Sequence, residues 1–398
     1  MDITIYPGKL SGTVTAIPSK SQAHRLLICA AFSKAPTELY CPATNQDIEA
    51  TASCLRALGA QIERTNDGYN ITPVQEIPQS AVLNCSESGS TLRFMLPIAG
   101  ALGVDVTFKL AGRLPQRPLS PLWEEMERMG CFLSRPTDNT IHLQGKLCSG
   151  TYCIDGSVSS QFITGLLFAT ALMEGNSRIK ITGKLESKPY IDMTQQALAA
   201  FGVETEDYCV KGSLPFHSPG KLLVEGDWSN GAFFLAARRL GNAVDVLGLS
   251  PTSTQGDRAC ATLFNMMHEH VTVDASDIPD LVPILAVTAG ALHGATFQNI
   301  ARLRLKESNR VATVAAMIEH LGGKTLVTEN EMQVFPGKYS GCTIDAAGDH
   351  RIAMAAAIAA TVADAPVTIL GAQCVAKSYP TFWDEYKRLG GSYEQYIR

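Results

Sequence analysis

The sequence contains a long internal repeat, and this repeat restricts the possible folds more than any other feature. Six apolar, helix-like segments each follow a short polar start, and they begin near Ser21, Ser90, Ser160, Ser229, Pro279 and Asp349. The interval between them is about 70 residues, except for an interval of about 50 before the fifth segment. This period is long enough for a whole supersecondary unit. We therefore expect six repeats of one α/β unit.

The elements of one repeat can be predicted around the apolar segment. A β-rich run precedes the helix, as at 13–17, and another follows it, as at 104–110. A second helix then ends at a glycine such as Gly59 or Gly130, which suits the left-handed position after a helix. A hairpin follows, with turn residues such as those at 66–68. Each repeat is therefore predicted as strand–helix–strand–helix–strand–strand.

Two of the repeats are predicted to be incomplete. The chain passes from a helix ending near His270 directly to a strand at 271–274, so the hairpin of the fourth repeat is missing. The sixth repeat also lacks a full hairpin. The N-terminal strand at 3–6 is expected to complete it.

Composition excludes several classes of protein. Hydrophobic residues make up 45% and charged residues 18% of the chain, which excludes a disordered protein. The formal net charge of −5 argues against a nucleic-acid platform, and the longest apolar runs, such as 352–363, are too short to span a bilayer. No signal peptide is apparent at the N-terminus. The 11 irregularly spaced cysteines, without a CxxC motif, predict a reduced cytoplasmic protein and no zinc site.

The starts of the six apolar helices are candidate anion sites. Helices that are apolar all round are buried, so they would present mainly their N-termini, whose free N–H groups and dipole attract anions. Arg25, Arg93 and Arg351 lie near three of these starts. Ordinary capping by Ser and Asp beside surface arginines is the alternative. Further basic residues at segment ends favour a small polyanionic ligand: Lys20, Arg117, Lys306, Arg310 and Lys377.

Two carboxylates complete the candidate site. Asp280 opens the fifth apolar helix, and Glu307 lies next to Lys306 before the following helix. A carboxylate among several cations stays ionised and can accept a proton or hold a hydroxyl group. The spacing alone equally allows Asp280 to be an N-cap and Glu307 to be a first-turn helix acid.

At these residues the sequence resembles the EPSP synthase (3-phosphoshikimate 1-carboxyvinyltransferase) family. Ten matching stretches occur in the family's order, at 19–25, 87–93, 113–118, 155–161, 187–192, 225–227, 278–280, 304–310, 349–351 and 376–380. The resemblance implies two similar domains, each built from three βαβαββ units as an inside-out α/β barrel, with substrates bound in the cleft between them. The implied domains are 20–224, and 1–19 together with 225–398, with a hinge near 19–20 and 224–225.

The resemblance also implies a reaction. The enolpyruvyl group of phosphoenolpyruvate would be transferred to the 5-hydroxyl of shikimate 3-phosphate in the shikimate pathway of aromatic amino acid and chorismate biosynthesis, and phosphate would be released. No metal or organic cofactor is implied, and the enzyme is expected to be a cytoplasmic monomer that binds neither nucleic acid nor membranes. The family is also the target of glyphosate.

Site residues are carried over position by position. The implied catalytic residues are Asp280 as the proton acceptor, with Glu307 and Lys20 as competing proton donors to the vinyl carbon. The residues implied to bind shikimate 3-phosphate are Lys20, Ser21, Arg25, Ser159, Ser160, Gln161, Ser187, Tyr190, Asp280 and Lys306. Those implied to bind phosphoenolpyruvate are Lys20, Gly89, Arg117, Gln161, Arg310, Arg351 and Lys377. Asp47 and Arg93 match positions that support the pocket.

Several positions depart from the family's common pattern: Glu87, Trp228, Arg302 and Asn309. Glu87 and Trp228 leave glyphosate sensitivity open, and Arg302 leaves open one contact with the shikimate phosphate.

The sister enzyme UDP-N-acetylglucosamine enolpyruvyl transferase is the nearest alternative, but it uses a loop cysteine, and the matching segment 110–117 has none. A non-catalytic repeat protein that binds anions or RNA is the more distant alternative.

Overall fold

A computed structural model describes residues 1–212 and 215–396. The helices are α1 (Lys20–Ala31), α2 (Gln46–Ala57), α3 (Gly89–Leu102), α4 (Leu122–Arg128), α5 (Ser160–Leu172), α6 (Lys188–Ala200), α7 (Trp228–Arg239), α8 (Cys260–Met266), α9 (Val282–Ala291), α10 (Arg310–His320), α11 (His350–Ala360) and α12 (Phe382–Arg388). Short 3-10 helices lie at Leu114–Gln116, Gly256–Ala259, Ala301–Leu305 and Ala372–Lys377.

The strands alternate with these helices along the chain. They are β1 (Asp2–Tyr6), β2 (Ser11–Thr15), β3 (Thr37–Tyr40), β4 (Gln61–Arg64), β5 (Gly68–Thr72), β6 (Ser80–Ser86), β7 (Asp105–Leu110), β8 (Cys131–Thr137), β9 (Thr140–Gly145), β10 (Thr151–Asp155), β11 (Ser177–Thr182), β12 (Thr205–Glu206), β13 (Cys209–Val210), β14 (Lys221–Leu223), β15 (Ala243–Leu247), β16 (Val271–Asp274), β17 (Ala295–Gln298), β18 (Lys324–Val327), β19 (Glu331–Phe335), β20 (Cys342–Asp345), β21 (Val367–Leu370) and β22 (Ser392–Tyr396).

The chain divides into two compact units. Unit A is Pro18–Val224, and unit B is Met1–Ile17 together with Glu225–Arg398. The resemblance to the family implies a first crossing between Ser19 and Lys20, slightly later in the chain than the boundary between Ile17 and Pro18. The reason is local, because the Ser19 side chain accepts a hydrogen bond from the Gln22 N–H and so caps α1 within unit A.

The repeats share one sheet topology. In β6-β7-β9-β8, for example, the first two strands are parallel and flank α3, while β9 is antiparallel to both β7 and β8. The same order recurs in β10-β11-β13-β12 and β16-β17-β19-β18. This is the predicted strand–helix–strand–helix–strand–strand repeat.

Both incomplete repeats have the predicted form. β1 lies between β21 and β22, antiparallel to each, and so completes the sixth repeat. In the fourth repeat the chain runs from α8 to β16 without a hairpin, and among the described residues β15 pairs only with β2.

Two strands exchange places between the repeats. β2 precedes α1 in the chain, yet it pairs in parallel with β15 of unit B. β14 precedes α7, yet it pairs in parallel with β3 of unit A. β2 thus supplies the first strand of the repeat that contains α7 in unit B, although it precedes α1 in the chain. β14 likewise supplies the first strand of the repeat that contains α1 in unit A, although it precedes α7.

Apolar helices form the interior of each unit. Nearly every residue of α3, α5 and α11 is buried, and each unit has its own hydrophobic core. Strands such as β10 alternate buried and exposed residues, so one sheet face packs on the helices and the other faces solvent. Helices inside and sheets outside give the predicted inside-out α/β arrangement. Within the described residues, no helix has both the length and the hydropathy to cross a membrane.

Candidate active site

Serines cap three helix starts in unit A, one or two residues before the predicted Ser21, Ser90 and Ser160. The side chains of Ser19, Ser88 and Ser159 accept hydrogen bonds from backbone N–H groups at the starts of α1, α3 and α5. The alternative of ordinary capping is therefore correct for these serines. It is wrong for the arginines, because Arg25 and Arg93 are only 2% and 4% exposed.

Arg25 connects the starts of α1 and α6. Its Nη2 donates to the carbonyl of Tyr190 at 2.8 Å, its Nε donates to Thr194 Oγ1 at 2.8 Å, and its Nη1 donates to the carbonyl of Ser21 at 2.6 Å. The guanidinium also lies 5.3 Å from the centre of the Phe94 ring. Burial lowers the pKa of Arg25 to about 10, so the side chain remains charged at neutral pH. These contacts bring Ser21 and Tyr190 to one place.

A second group forms at the starts of α3 and α5. Arg93 Nη1 donates to Gln161 Oε1 at 2.7 Å, and Gln161 Nε2 donates to Ser90 Oγ at 2.9 Å. A Cβ atom on Gly89 would lie 2.6 Å from Arg117 Nη1, so glycine allows this arginine to approach the helix start. Three of the residues implied to bind phosphoenolpyruvate, Gly89, Arg117 and Gln161, therefore belong to one group.

The remaining predicted residues of unit A lie at the same helix starts. Lys20 Nζ donates to Asp47 Oδ2 at 2.9 Å, which joins α1 to α2. Ser159 and Ser160 are buried at the start of α5. Ser187 precedes α6 in a left-handed conformation, with φ 56°, which is unusual for a residue other than glycine.

Asp280 is the centre of a charged cluster in unit B. Its Oδ1 lies 2.6 Å from Arg310 Nη1 and 3.5 Å from Lys306 Nζ, and its Oδ2 lies 3.0 Å from Arg351 Nη2. Burial alone would raise the pKa of Asp280, but these three cations hold it well below its usual value. The carboxylate is therefore ionised at neutral pH.

Arg310 joins the other carboxylates to this cluster. It is 1% exposed, its Nη2 lies 2.6 Å from Glu307 Oε2, and its Nε lies 2.8 Å from Asp349 Oδ2. Lys377 Nζ donates to the carbonyl of Gly348 at 3.1 Å, beside Asp349. The structure thus places every predicted residue of unit B in or next to one network.

Both alternative structural roles of the carboxylates are incorrect. Asp280 does not cap α9, because that helix begins at Val282 with Leu281 in the cap position. Glu307 precedes α10, which begins at Arg310 and is capped by Asn309. Both side chains instead form ion pairs with Arg310.

Lys306 has an altered pKa. Burial lowers the pKa of its ammonium group to about 8, while the charge of Asp280 acts in the opposite direction. Its side chain is 21% exposed. At neutral pH most molecules therefore carry a charged Lys306 that can meet an anion.

Sequence reasoning missed two carboxylates in unit B. The sequence indicates Asp349 only as part of a helix start, yet it is fully buried against Arg310 and also accepts a hydrogen bond from Ser308. Asp257 is buried in a 3-10 helix, where burial and the charge of Asp280 raise its pKa to about 7, against the effect of Arg351. The polar sequence around Asp257 does not distinguish it from a solvated turn.

Within the described residues, no group of three or more His, Cys, Asp or Glu side chains could hold a metal ion.

The fold is shared with solved enolpyruvyl transferases. Two structures of EPSP synthase from Acinetobacter baumannii each match with a TM-score of 0.81, at 23% and 22% identity, and cover at least 99% of this chain and 100% of their own chains. The enolpyruvyl transferase NikO from Streptomyces tendae matches with a TM-score of 0.76 at 15% identity, over 99% of this chain and 98% of its own.

Sequence comparison identifies the family within this fold. The family model for EPSP synthase (3-phosphoshikimate 1-carboxyvinyltransferase) matches residues 5–386. The 3-phosphoshikimate 1-carboxyvinyltransferases of Clostridium kluyveri and Clostridium novyi are each 36% identical, over 99% of this chain and 98% and 99% of their own lengths. The chain belongs to the EPSP synthase family, and the resemblance inferred from its motifs is confirmed.

Proposed function

We propose that this chain is a transferase that moves the enolpyruvyl group of phosphoenolpyruvate to the 5-hydroxyl of shikimate 3-phosphate. The products are 5-enolpyruvylshikimate 3-phosphate and phosphate, in the shikimate pathway. Membership of the family, over nearly the whole chain, supports this reaction. The structural observation that carries the proposal is an ionised Asp280 held by Lys306, Arg310 and Arg351.

The proposed chemistry requires such a group. The 5-hydroxyl oxygen attacks C2 of phosphoenolpyruvate while a proton is added to C3, which gives a tetrahedral intermediate. The intermediate then loses a proton from C3 and the bond from C2 to the phosphate oxygen breaks, which restores the double bond and releases phosphate. Asp280 accepts the hydroxyl proton as the oxygen attacks. Glu307 and Lys20 are the two candidates for adding the proton to C3.

The cationic side chains neutralise the negative charges of the two substrates. We propose that shikimate 3-phosphate contacts Lys20, Ser21, Arg25, Ser159, Ser160, Gln161, Ser187, Tyr190, Asp280 and Lys306. Phosphoenolpyruvate contacts Lys20, Gly89, Arg117, Gln161, Arg310, Arg351 and Lys377. Arginine suits two-point capture of phosphate or carboxylate, and fixed positive groups stabilise charge that develops during the reaction.

A phosphate-release assay tests the proposed function. The purified chain is incubated with phosphoenolpyruvate and shikimate 3-phosphate, with each substrate omitted in turn. Phosphate release that needs both substrates, with one 5-enolpyruvylshikimate 3-phosphate formed per phosphate, is expected. Release with UDP-N-acetylglucosamine in place of shikimate 3-phosphate would instead identify the sister activity. No release with either acceptor would favour a binding protein.

We further propose that the enzyme acts as a cytoplasmic monomer, with these two small molecules as its partners. The acidic net charge and the burial of cysteines such as Cys29 and Cys54 support a reducing compartment and no nucleic-acid partner. Inhibition of the same assay by glyphosate tests whether the chain is a target of that compound.

A further inference from the structure

A short series of hydrogen bonds crosses three helices of unit A. His24 Nδ1 in α1 lies 2.7 Å from Thr51 Oγ1 in α2, and Thr51 Oγ1 lies 2.7 Å from Thr91 Oγ1 in α3. Thr91 Oγ1 then donates to the Oγ of Ser88, the cap of α3, at 2.7 Å. All four side chains are at most 1% exposed. We refer to His24, Thr51, Thr91 and Ser88 as the His24 network.

The hydrogen bonds of this network run in one direction. Ser88 Oγ accepts from both the backbone N–H and the hydroxyl of Thr91. Because each hydroxyl carries a single proton, Thr51 must donate to Thr91, and His24 must then donate to Thr51 from Nδ1–H. His24 is thereby fixed as the tautomer that carries its proton on Nδ1.

The surroundings of the ring support this tautomer. His24 Nε2 is buried and has no hydrogen-bond partner in the described part of the chain, and an orphaned N–H is less tolerable in a protein interior than an orphaned acceptor. Burial, together with the charges of Lys20 and Arg25, lowers the pKa of His24 well below its usual value. The imidazole therefore stays neutral around neutral pH.

The helices that the network joins carry two of the proposed phosphoenolpyruvate ligands of unit A, Lys20 on α1 and Gly89 on α3. Lys20, at the start of α1, is paired with Asp47 at the start of α2. The Thr91 hydroxyl oxygen also lies 3.4 Å from the carbonyl oxygen of Asp47, and Ser88 immediately precedes Gly89. A change in the network would therefore move Lys20 and Gly89 relative to each other.

We propose that the hydrogen bonds of the His24 network fix the positions of the starts of α1, α2 and α3 relative to one another, so that Lys20 and Gly89 bind phosphoenolpyruvate together. This inference rests on the proposed function. His24 and the two threonines act through other residues and do not touch the substrate. Their effect should appear in the KM for phosphoenolpyruvate more than in kcat.

Thr51→Val tests the proposal, because it keeps the side-chain shape and removes the hydroxyl. The KM for phosphoenolpyruvate should rise by about tenfold or more, which corresponds to about 1.4 kcal/mol of lost binding. Thr51→Ser retains the hydroxyl and should keep KM within about threefold of the wild-type value. Thr170→Val is the matched control, because Thr170 is also fully buried in unit A but donates within its own helix α5, to the carbonyls of Leu166 and Leu167. It should lower stability without changing KM.

Two results would overturn the proposal. One is a Thr51→Val variant whose KM for phosphoenolpyruvate matches that of Thr170→Val. The other is a His24 ring protonated on Nε2 at pH 7, observed by nitrogen NMR of the wild-type protein and assigned by comparison with His24→Asn. The NMR measurement needs neither a folded Thr51→Val variant nor a substrate. Absence of wild-type turnover would count against the proposed function, and the NMR result would still decide the direction of the network.

Discussion

Asp280 forms ion pairs with three different cations, Lys306, Arg310 and Arg351. Asp280→Asn keeps the size of the side chain and one acceptor oxygen but cannot act as a base. It should lower kcat by about 100-fold or more, the usual scale for a positioned acid or base. Binding of shikimate 3-phosphate, measured by calorimetry, should change much less, because the proposed ligands Arg25, Ser159, Ser160 and Lys306 still hold its charged groups.

The division between kcat and KM decides the role of Asp280. A loss carried wholly by KM would mean that Asp280 only positions the substrate. Glu307 would then be the preferred base. Glu307→Gln is the matched variant, since Glu307 belongs to the same cluster and pairs with Arg310 at the same distance of 2.6 Å.

Lys306 should give the enzyme a pH dependence. Its pKa is about 8 because burial opposes the charged form, so the ammonium is present below pH 8 and is lost as pH rises. The kcat/KM for shikimate 3-phosphate should therefore fall through this range. Lys306→Arg keeps its charge, so its kcat/KM for shikimate 3-phosphate should fall only above pH ~10, even if the maximal kcat/KM is lower than that of the wild type. The exposed Lys338→Arg is the control, and an unchanged alkaline fall in Lys306→Arg would assign the titration to another group.

At the scale of elements, the N-terminal strand gives a direct test of the sixth repeat. Ile5 in β1 is fully buried and pairs with both Val367 and Tyr393. Ile5→Ala should lower the free energy of unfolding by about 2–5 kcal/mol, the usual cost of such a cavity. Tyr6→Ala, in the same strand but at a position 37% exposed, should cost less than half as much. Urea unfolding measures both, and equal losses would mean that β1 is not an integral part of the core.

The repeat could be predicted from sequence because its signals are local. Apolar segments, glycines after the second helix and turn residues each act within a few residues. The partners of β2 and β14 could not be predicted in this way, because either strand would fit before either helix. Which strand enters which sheet depends on pairing between residues far apart, such as Val14 with Val246. The incomplete sixth repeat predicted the place of the strand at 3–6, whereas for β2 only the resemblance to the family indicated that it belongs with the second half of the chain.

The same limit applies to the site. Lys306 and Glu307 are neighbours in sequence, so their association with a helix start could be predicted. The burial of Arg25 could not, because it depends on a carbonyl 165 residues away, in Tyr190. Asp257 gave no signal, since its raised pKa arises only when folding places it near Asp280.

At the scale of the whole molecule, the distribution of charge matters more than its sum. The chain carries a formal net charge of −5, yet Arg25, Arg93, Arg310 and Arg351 are nearly fully buried at helix starts. Burying so many arginines is costly unless each is paired or hydrogen-bonded. A polyanionic substrate offers further compensation, which is consistent with two substrates that bring two phosphates and two carboxylates.

Hydrogen–deuterium exchange can test whether both units bind shikimate 3-phosphate. A ligand that binds the folded state slows the local opening of the segments it contacts. We expect slower exchange at the starts of α1 and α5 in unit A, and around Asp280 and 306–311 in unit B. Shikimate, which lacks the phosphate, is the matched control and should protect these segments less at the same concentration. Protection confined to one unit would show that its cluster alone binds the substrate, and the residues proposed in the other unit would have to be reassigned.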